Sequence, residues 1–219
     1  MVKLTKEGDV HILTMDAGEN RINRETLDEL GAALDEVEGS SGAGALVTTG
    51  TGKFYSNGFD IPFLMSQGSK LQEFVAETVE FFARVLTFPM PTVAALNGHT
   101  FAAGAMFACA HDVRIMREDR GYWCLPEVDL KMPLPDNMIA LLQARYTKAV
   151  VHEAAVSGGR FNAAQCLERR LVDRAVPEDQ VLPAAIEYAA SQANKDRSTL
   201  AGIKQALYKD VMPRLVRAK

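Results

Sequence analysis

The stretch PTVAALNGHTFAAG, residues 91–104, decides the fold class of this chain. Residues 92–96 have the apolar character of a buried strand, and residues 97–103 form a turn dominated by small side chains. Residues 104–111 then have the composition of a helix. A strand, a small-residue turn and a helix in this order predict an α/β fold, with unpartnered amides at the helix start that favour negative charge.

A second stretch, FYSNGFD at residues 54–60, has the same physical character. It follows a predicted buried strand at residues 45–49 and turns on small and polar residues before apolar residues resume. Two such turns side by side could present backbone N–H groups to one oxygen atom. The sequence therefore predicts an oxyanion hole built from backbone amides alone.

The rest of the chain alternates strands and helices. Further strands are predicted at residues 2–5, 10–15 and 113–116, and helices at residues 26–37, 71–86, 184–192 and 200–208. This alternation predicts a right-handed α/β sheet whose ligand site lies at the loops leaving the strands. Function is then expected near residues 56–60, 97–104 and 123–136.

Composition excludes several classes of protein. The 219 residues are 47% hydrophobic and 24% charged, with a net charge of -4, as expected of one globular domain with appendages. The negative balance argues against a nucleic-acid partner, because that binding needs dense Lys and Arg. The longest apolar runs are too short to span a bilayer. No metal-ligand cluster and no Gly-Lys-Ser/Thr phosphate motif is present, so no metal is expected.

The cysteines and the two ends of the chain bear on location. Three widely spaced cysteines among apolar neighbours predict buried free thiols in a reducing compartment. The strand-like start leaves no room for a signal peptide, so a cytoplasmic location is expected. The terminal Arg217-Ala218-Lys219 is not the peroxisomal address Ser-Lys-Leu. A trimmed chain from a eukaryote would leave a peroxisomal location open.

Four segments in order resemble the enoyl-CoA hydratase/isomerase, or crotonase, superfamily. They are residues 20–23, 54–60, 91–112 and 157–176, which cover nearly the whole chain. The resemblance implies an α/β fold that is a spiral of ββα repeats, with a core at residues 1–180 and a helical C-terminal trimerisation region at 181–219. It also implies a homotrimer or a dimer of trimers, and an acyl-CoA thioester substrate whose coenzyme A leaves no need for a separate cofactor.

Carried over by position, the resemblance assigns the oxyanion hole to the amides of Phe59 and Ala103. An alanine keeps the N–H of the usual glycine if the backbone does not need a positive φ there. Arg21 matches the place where relatives meet the CoA phosphates, although a solvated loop arginine explains it nearly as well. The remaining residues expected to contact substrate are Ser56, Asn57, Gly58, Asp60, Ile61, Phe63 and Gly104.

The carboxylates depart from the hydratase pattern. Hydratases resemble one another in carrying a first Glu after the oxyanion turn, where this chain has Met106, and a second that matches Glu127. Hydration needs one group to position a water and another to protonate the adjacent carbon, and one carboxylate cannot readily do both. One carboxylate can, however, move a proton between two carbons. Its apolar neighbours, such as Leu125 and Val128, would raise its pKa toward working pH.

An enoyl-CoA delta isomerase is therefore the expected activity, with Glu127 as the catalytic base. Residues 116–121, 127–129 and 135–136 particularly resemble the monofunctional isomerases of plants and related proteins. The alternatives are a hydratase with an unrecognised second acid and a CoA-binding protein without catalysis. Asp136 is a reserve candidate for the base, though a helix N-cap explains it better. A Ser-His triad at Ser56 with His99 or His111 is disfavoured, since no Gly-x-Ser-x-Gly elbow is present.

Overall fold

A computed structural model describes residues 1–217 of the chain. Its strands are β1 (Val2–Glu7), β2 (Val10–Met15), β3 (Ala45–Gly50), β4 (Phe54–Ser56), β5 (Thr92–Leu96), β6 (His99–Phe101), β7 (Val113–Arg117), β8 (Trp123–Cys124) and β9 (Arg174–Val176). The helices are α1 (Arg24–Gly39), α2 (Ile61–Ser66), α3 (Leu71–Leu86), α4 (Ala103–Cys109), α5 (Asp136–Arg145), α6 (Lys148–Ser157), α7 (Ala163–Glu168), α8 (Val181–Gln192), α9 (Arg197–Tyr208) and α10 (Met212–Leu215). Short 3-10 turns precede α3 and α8.

The larger sheet has six strands in the order β1-β2-β3-β5-β7-β9. The β1–β2 hairpin is antiparallel and the other pairs are parallel. Every residue of β3 and β5 is buried, as expected of central parallel strands covered on both faces. The predicted hairpin and the predicted buried strands are confirmed.

The smaller sheet has three parallel strands in the order β4-β6-β8. The segments β3-β4-α2, β5-β6-α4 and β7-β8-α5 each send their first strand to the larger sheet and their second strand to the smaller one. This arrangement confirms the predicted spiral of ββα repeats. Residues 97–103, predicted as a turn alone, contain the short strand β6, and the predicted loop after β3 contains β4.

The C-terminal helices pack onto the same chain. On α8, Val181, Ala185 and Ala189 pack against the larger sheet around Val47 and Val93, so this helix completes the core. The predicted domain boundary between residues 180 and 181 stays a prediction. The helix that follows this boundary, α8, packs against the larger sheet of the core. A trimerisation role for this region also stays a prediction.

The last two helices dock through polar and apolar contacts. Lys204 of α9 is buried and its Nζ donates to Asp112 Oδ2 at 2.6 Å, while Leu215 of α10 is buried near α3 and α5. None of the helices within residues 1–217 is long and apolar enough to cross a membrane. Ala218 and Lys219, part of the C-terminal address considered above, lie outside the described residues.

Candidate active site

Three site segments leave the same edge of the smaller sheet. Phe59 follows β4 by three residues, Ala103 follows β6 by two, and Glu127 follows β8 by three. The strands are parallel, and Thr100 of β6 lies opposite Ser56 of β4 and Trp123 of β8. Neighbouring strands lie about 4.8 Å apart, so the outer two segments are separated by about 10 Å. The fold therefore brings the predicted amides and the predicted base to the same edge of the smaller sheet.

The two predicted oxyanion amides are free to donate. Within residues 1–217, the N–H groups of Phe59 and Ala103 make no hydrogen bond. The two loops touch, since a Cβ built on Gly58 would lie 3.1 Å from Ala103 N. The positive φ of the second turn, 51°, falls on Ala102 and not on Ala103. Ala103 therefore keeps the N–H that the usual glycine would supply.

Two glycines allow the loops to approach. Gly58 has a φ of 78°, and a Cβ there would lie 2.7 Å from the Cβ of Ala102. A Cβ on Gly104 would lie 2.5 Å from the carbonyl oxygen of Ser56. Real Cβ atoms do not come this close to other heavy atoms, so both positions need glycine. Both residues were expected to contact substrate; in the structure they set the spacing of the two loops.

Glu127 is half-buried in an apolar setting. Its Oε2 is removed from solvent and has no hydrogen-bond partner. Burial raises the pKa of this carboxyl from 4.5 to about 7, against a smaller lowering by a hydrogen bond to its own backbone. The backbone is fixed by a turn in which Met132 N donates to Glu127 O at 3.0 Å. The site thus holds a carboxylate that can be ionised or protonated near neutral pH.

The apolar setting differs in part from the expected one. Leu125 is buried as expected, and Trp123 is buried as well, but Val128 is 49% exposed and the nearby Leu130 is 52% exposed. The pocket beside Glu127, of about 430 Å³, is lined by Val128, by the rest of the loop that follows it, and by residues of α5 and α6. Among the residues that line this pocket, Glu127 is the only carboxylate. Met106, in the position of the hydratases' first Glu, is fully buried in α4.

The predicted CoA-binding arginine is already paired. Arg21 Nη2 lies 2.6 Å from Glu19 Oε2, and Asn57 Nδ2 donates to the same oxygen at 2.9 Å. These hydrogen bonds, first from Asn57 and then from Arg21, hold the pKa of Glu19 below its ordinary value. A CoA phosphate would have to compete with this carboxylate for Arg21.

Several other predicted contact residues support the loops themselves. Ser56 is fully buried and its Oγ donates to Asn20 O at 2.7 Å. Asp60 caps α2, where its Oδ1 accepts from Phe63 N at 3.2 Å. Ile61 and Phe63 are half-buried, and the ring of Phe63 meets that of Phe74 edge-on, with ring centroids 5.1 Å apart.

Asp136 is not among the residues that line the pocket beside Glu127. Its carboxylate is 79% exposed and pairs with Arg214 at 2.7 Å, which lowers its pKa. Pro135 occupies the N-cap position of α5 and Asp136 is the first helical residue, so the predicted N-cap is wrong. Pro135 has the extended backbone of an N-cap residue, so α5 begins one residue earlier than predicted, and the carboxylate of Asp136 pairs with Arg214.

The histidines do not form a nucleophile–base pair with Ser56. His111 is buried, with Nδ1 2.8 Å from Phe107 O and Nε2 2.9 Å from Thr48 Oγ1. Burial lowers its pKa to about 4. The Oγ of Ser56 already donates a hydrogen bond to Asn20 O. Within residues 1–217 the disfavoured triad is therefore absent.

Two asparagines that the sequence analysis did not assign hold the site loops. The side chain of Asn20 accepts from Ala17 N and donates to Phe54 O, both at 2.9 Å. Asn97 Oδ1 accepts from Gly50 N at 2.9 Å. Both side chains replace backbone partners at the end of β3 and the start of β4. Their position within the motif segments was the only signal in the sequence.

The raised pKa of Glu127 makes stability depend on pH. The folded protein binds the proton of the Glu127 carboxyl more tightly than the unfolded chain does. The contribution of this carboxyl to the free energy of unfolding is therefore largest below about pH 4.5 and falls as pH rises to about 7. The free energy of unfolding of Glu127→Gln should therefore increase relative to wild type across this window. Urea unfolding of both proteins at about pH 5 and about pH 8 measures it; an equal difference at both values would contradict the assigned burial.

Comparison with known proteins gives one family throughout. The family model described as enoyl-CoA hydratase/isomerase matches residues 5–219. Enoyl-CoA delta isomerase 2, peroxisomal, of Arabidopsis thaliana is 35% identical, and the match covers 96% of this chain and 93% of that protein.

Two solved structures of one Mycobacterium tuberculosis protein, which carry different functional descriptions, have the same fold as this chain. A probable enoyl-CoA hydratase matches 98% of this chain and 91% of its own, at 25% identity and a TM-score of 0.91. A structure described as an apo enoyl-CoA isomerase matches 98% of this chain and 93% of its own, at 26% identity and a TM-score of 0.90. Because the family model matches residues 5–219 and the Arabidopsis relative is 35% identical over 96% of this chain, the chain belongs to the enoyl-CoA hydratase/isomerase family.

Proposed function

We propose that this protein is an enoyl-CoA delta isomerase that converts a 3-enoyl-CoA into the 2-trans-enoyl-CoA. The observation that carries the proposal is Glu127, the only carboxylate among the residues that line its pocket, with a pKa of about 7, at the sheet edge that also presents two free amides. The family as a whole runs more than one reaction on this fold, so the choice depends on the site. The isomerase name of the Arabidopsis relative supports the same choice.

The geometry supports a 1,3-proton transfer. Ionised Glu127 removes a proton from C2 of the thioester, and the electrons of that bond spread over C2, C3 and C4 to the thioester oxygen. The N–H groups of Phe59 and Ala103 donate to this oxygen as its negative charge develops. Protonated Glu127 then returns the proton to C4, which leaves the double bond between C2 and C3. No proton, electron or cofactor is consumed.

Met106 is the reason for favouring isomerisation over hydration. A hydratase must hold a water and also protonate carbon, whereas Met106 places a buried thioether where a second carboxylate would be expected. The single base has a pKa near neutral pH, which suits a group that must both take and return a proton.

A direct assay separates this proposal from its alternatives. Purified protein is incubated with a 3-enoyl-CoA, and conjugation of the double bond with the thioester is followed by ultraviolet absorbance. An increase supports the isomerase. Consumption of a 2-enoyl-CoA by addition of water, with no conversion of the 3-enoyl-CoA, would identify a hydratase. Binding of acyl-CoA with neither reaction would identify a non-catalytic CoA-binding protein.

The rate should depend on the ionisation of Glu127. Because the base must be ionised to remove the C2 proton, kcat/KM is expected to rise with pH around a midpoint near 7. Initial rates between about pH 5 and about pH 9 measure this profile. A midpoint near the ordinary value of 4.5 would contradict the raised pKa.

Assembly and location stay predictions. A homotrimer or a dimer of trimers is proposed from the family resemblance, and light scattering coupled to size-exclusion chromatography would measure it. The cytoplasmic location is likewise proposed from the sequence, while the Arabidopsis relative is described as peroxisomal.

A further inference from the structure

The peptide that carries the Phe59 amide is oriented by the backbone of Ile22. Ile22 N donates to Gly58 O at 2.8 Å, and Asp60 N donates to Ile22 O at 3.0 Å. Gly58 O and the N–H of Phe59 belong to one planar trans peptide, so they point in opposite directions. The hydrogen bond from Ile22 therefore directs the Phe59 N–H to the side of the chain where it has no partner among residues 1–217.

The side chain of Phe59 is held by the ring of Phe74 in α3. The centroids of these two rings lie 5.9 Å apart, and the ring of Phe63 meets that of Phe74 edge-on at 5.1 Å. Phe74 is 2% exposed and Phe59 is 9% exposed. In a close-packed interior a smaller side chain at position 74 would leave a cavity into which its neighbours could move. Phe74 therefore limits how far the loop that carries Phe59 can shift.

Arg24, the first residue of α1, covers the ring of Phe74. Its Cζ lies 5.0 Å from the ring centroid, and its guanidinium pairs with Glu77, one turn further along α3. The face of an aromatic ring attracts a guanidinium placed over it. Arg24 follows Ile22 by two residues, so one short segment supports both the backbone and, through Phe74, the side chain of Phe59.

The same helix reaches the segment that carries the second amide. The ring centroids of Phe81 and Phe82, both in α3, lie 5.6 and 5.7 Å from that of Phe107. Phe107 belongs to α4, which begins at Ala103. Because two N–H groups must meet one oxygen atom, their spacing decides how well they stabilise its charge. The rings of α3 contact both segments and therefore bear on this spacing.

We propose that Phe74 is a positioning residue of the oxyanion hole, and that Arg24 holds the Phe74 ring in place. Phe74 acts through the backbone of Phe59 and takes no part in proton transfer. The proposal rests on the proposed function, which gives the two amides an enolate oxygen to bind. Because Glu127 is not in this cluster of rings, a change at position 74 should alter kcat without altering the pH dependence of the reaction.

Replacing Phe74 with Leu tests this role. The smaller side chain lets the Phe59 loop move, and a misplacement of about 1 Å can cost about 100-fold in rate. We expect kcat on a 3-enoyl-CoA to fall about 10- to 100-fold with little change in KM, because the lost interaction is made in the transition state. The midpoint of the pH profile should stay near 7.

Phe88→Leu is the matched control for Phe74→Leu. Phe88 is fully buried just after the end of α3, and its ring is not part of the cluster around Phe74. Thermal unfolding should show that both variants lose stability, whereas kcat should fall only in Phe74→Leu. Wild-type kcat in Phe74→Leu, or an equal loss of kcat in the control, would overturn the positioning role.

A pair of ligands measures the oxyanion hole without turnover. Acetoacetyl-CoA and butyryl-CoA have acyl chains of the same length, but only acetoacetyl-CoA forms an enolate near neutral pH, and this enolate absorbs in the ultraviolet. In Phe74→Leu the affinity for acetoacetyl-CoA should fall about tenfold or more relative to that for butyryl-CoA, with less enolate absorbance. An unchanged ratio of the two affinities would overturn the proposal. A lowered ratio, in a protein that converts no 3-enoyl-CoA, would refute the isomerase and leave the positioning role standing.

Arg24→Met covers the case in which Phe74→Leu does not fold. Met keeps a long side chain but removes the charge over the ring, so kcat should fall about two- to fivefold, the size of an exposed cation–π contact. Arg84→Met is the matched control, because Arg84 also joins α3 to α1, through Asp35 and Glu38, but does not cover the Phe74 ring. Equal kcat in the two arginine variants would overturn the role of Arg24.

Discussion

Replacing Glu127 with Gln is expected to lower kcat on a 3-enoyl-CoA by about 100- to 10,000-fold. Gln keeps the size of the side chain but cannot take the C2 proton or return one to C4. The substrate should still bind, because the oxyanion amides at Phe59 and Ala103 are unchanged. Absorbance of the conjugated product under saturating substrate measures the effect.

Asp136→Asn provides the control for this loss. It removes a carboxylate close by in the sequence, but Asp136 is exposed and paired with Arg214 at 2.7 Å. Its kcat should remain within about twofold of wild type, as expected of a surface ion pair. Wild-type activity in Glu127→Gln would contradict Glu127 as the base, and loss of activity in Asp136→Asn but not in Glu127→Gln would assign the base to Asp136.

Replacing Gly104 with Ala is expected to lower kcat by about 100- to 1000-fold, the effect of losing an oxyanion donor. The new Cβ would lie 2.5 Å from Ser56 O, and this backbone atom cannot rotate away as a side chain could. The start of α4 must therefore move away from the loop that carries Phe59. Overpacking of this kind also costs about 1–3 kcal/mol in the free energy of unfolding.

Gly31→Ala is the matched substitution outside the site. Gly31 lies in α1, and a Cβ there would meet no heavy atom within 4 Å. It should leave kcat unchanged and stabilise the protein by about 0.5–1 kcal/mol, because alanine favours the helix. Thermal unfolding and the same activity assay compare the two variants. Wild-type kcat in Gly104→Ala would show that the contact between the loops does not set the oxyanion hole.

The long helices and the buried strands were predictable from the sequence because each contains enough residues to show a clear spacing of apolar side chains. The observed bounds of α3, Leu71–Leu86, and β5, Thr92–Leu96, are those that the apolar pattern and the flanking prolines predict. In these segments local preference and burial agree. The family resemblance then supplied the order in which the repeats are joined.

The smaller sheet was not predictable from the pattern. Strands β4, β6 and β8 have three, three and two residues, too few to show a period of two. They also lie among Gly, Ser and Asn residues that normally indicate turns. These short strands nevertheless bring the site together, so convergence of the three segments became visible only in the structure.

The polar residues of the loops were harder to assign than the base. Ser56, Asp60 and Arg21 were expected to meet substrate, but they bind Asn20 O, the start of α2 and Glu19, respectively. A sequence does not reveal which nearby backbone group will form a hydrogen bond with a polar side chain. Glu127 was assigned through the family resemblance, and its apolar neighbours predicted the raised pKa that the structure gives it. Its role as the base stays a prediction.

Transfer of a labelled proton tests the single-base account most directly. A 3-enoyl-CoA carrying deuterium at C2 is converted in ordinary water, and the product is examined for deuterium at C4 by nuclear magnetic resonance. If Glu127 alone takes and returns the proton, part of the label should appear at C4, because the half-buried carboxyl exchanges slowly enough to retain some of it. A product with only solvent hydrogen at C4, formed equally well by Glu127→Gln, would contradict the account.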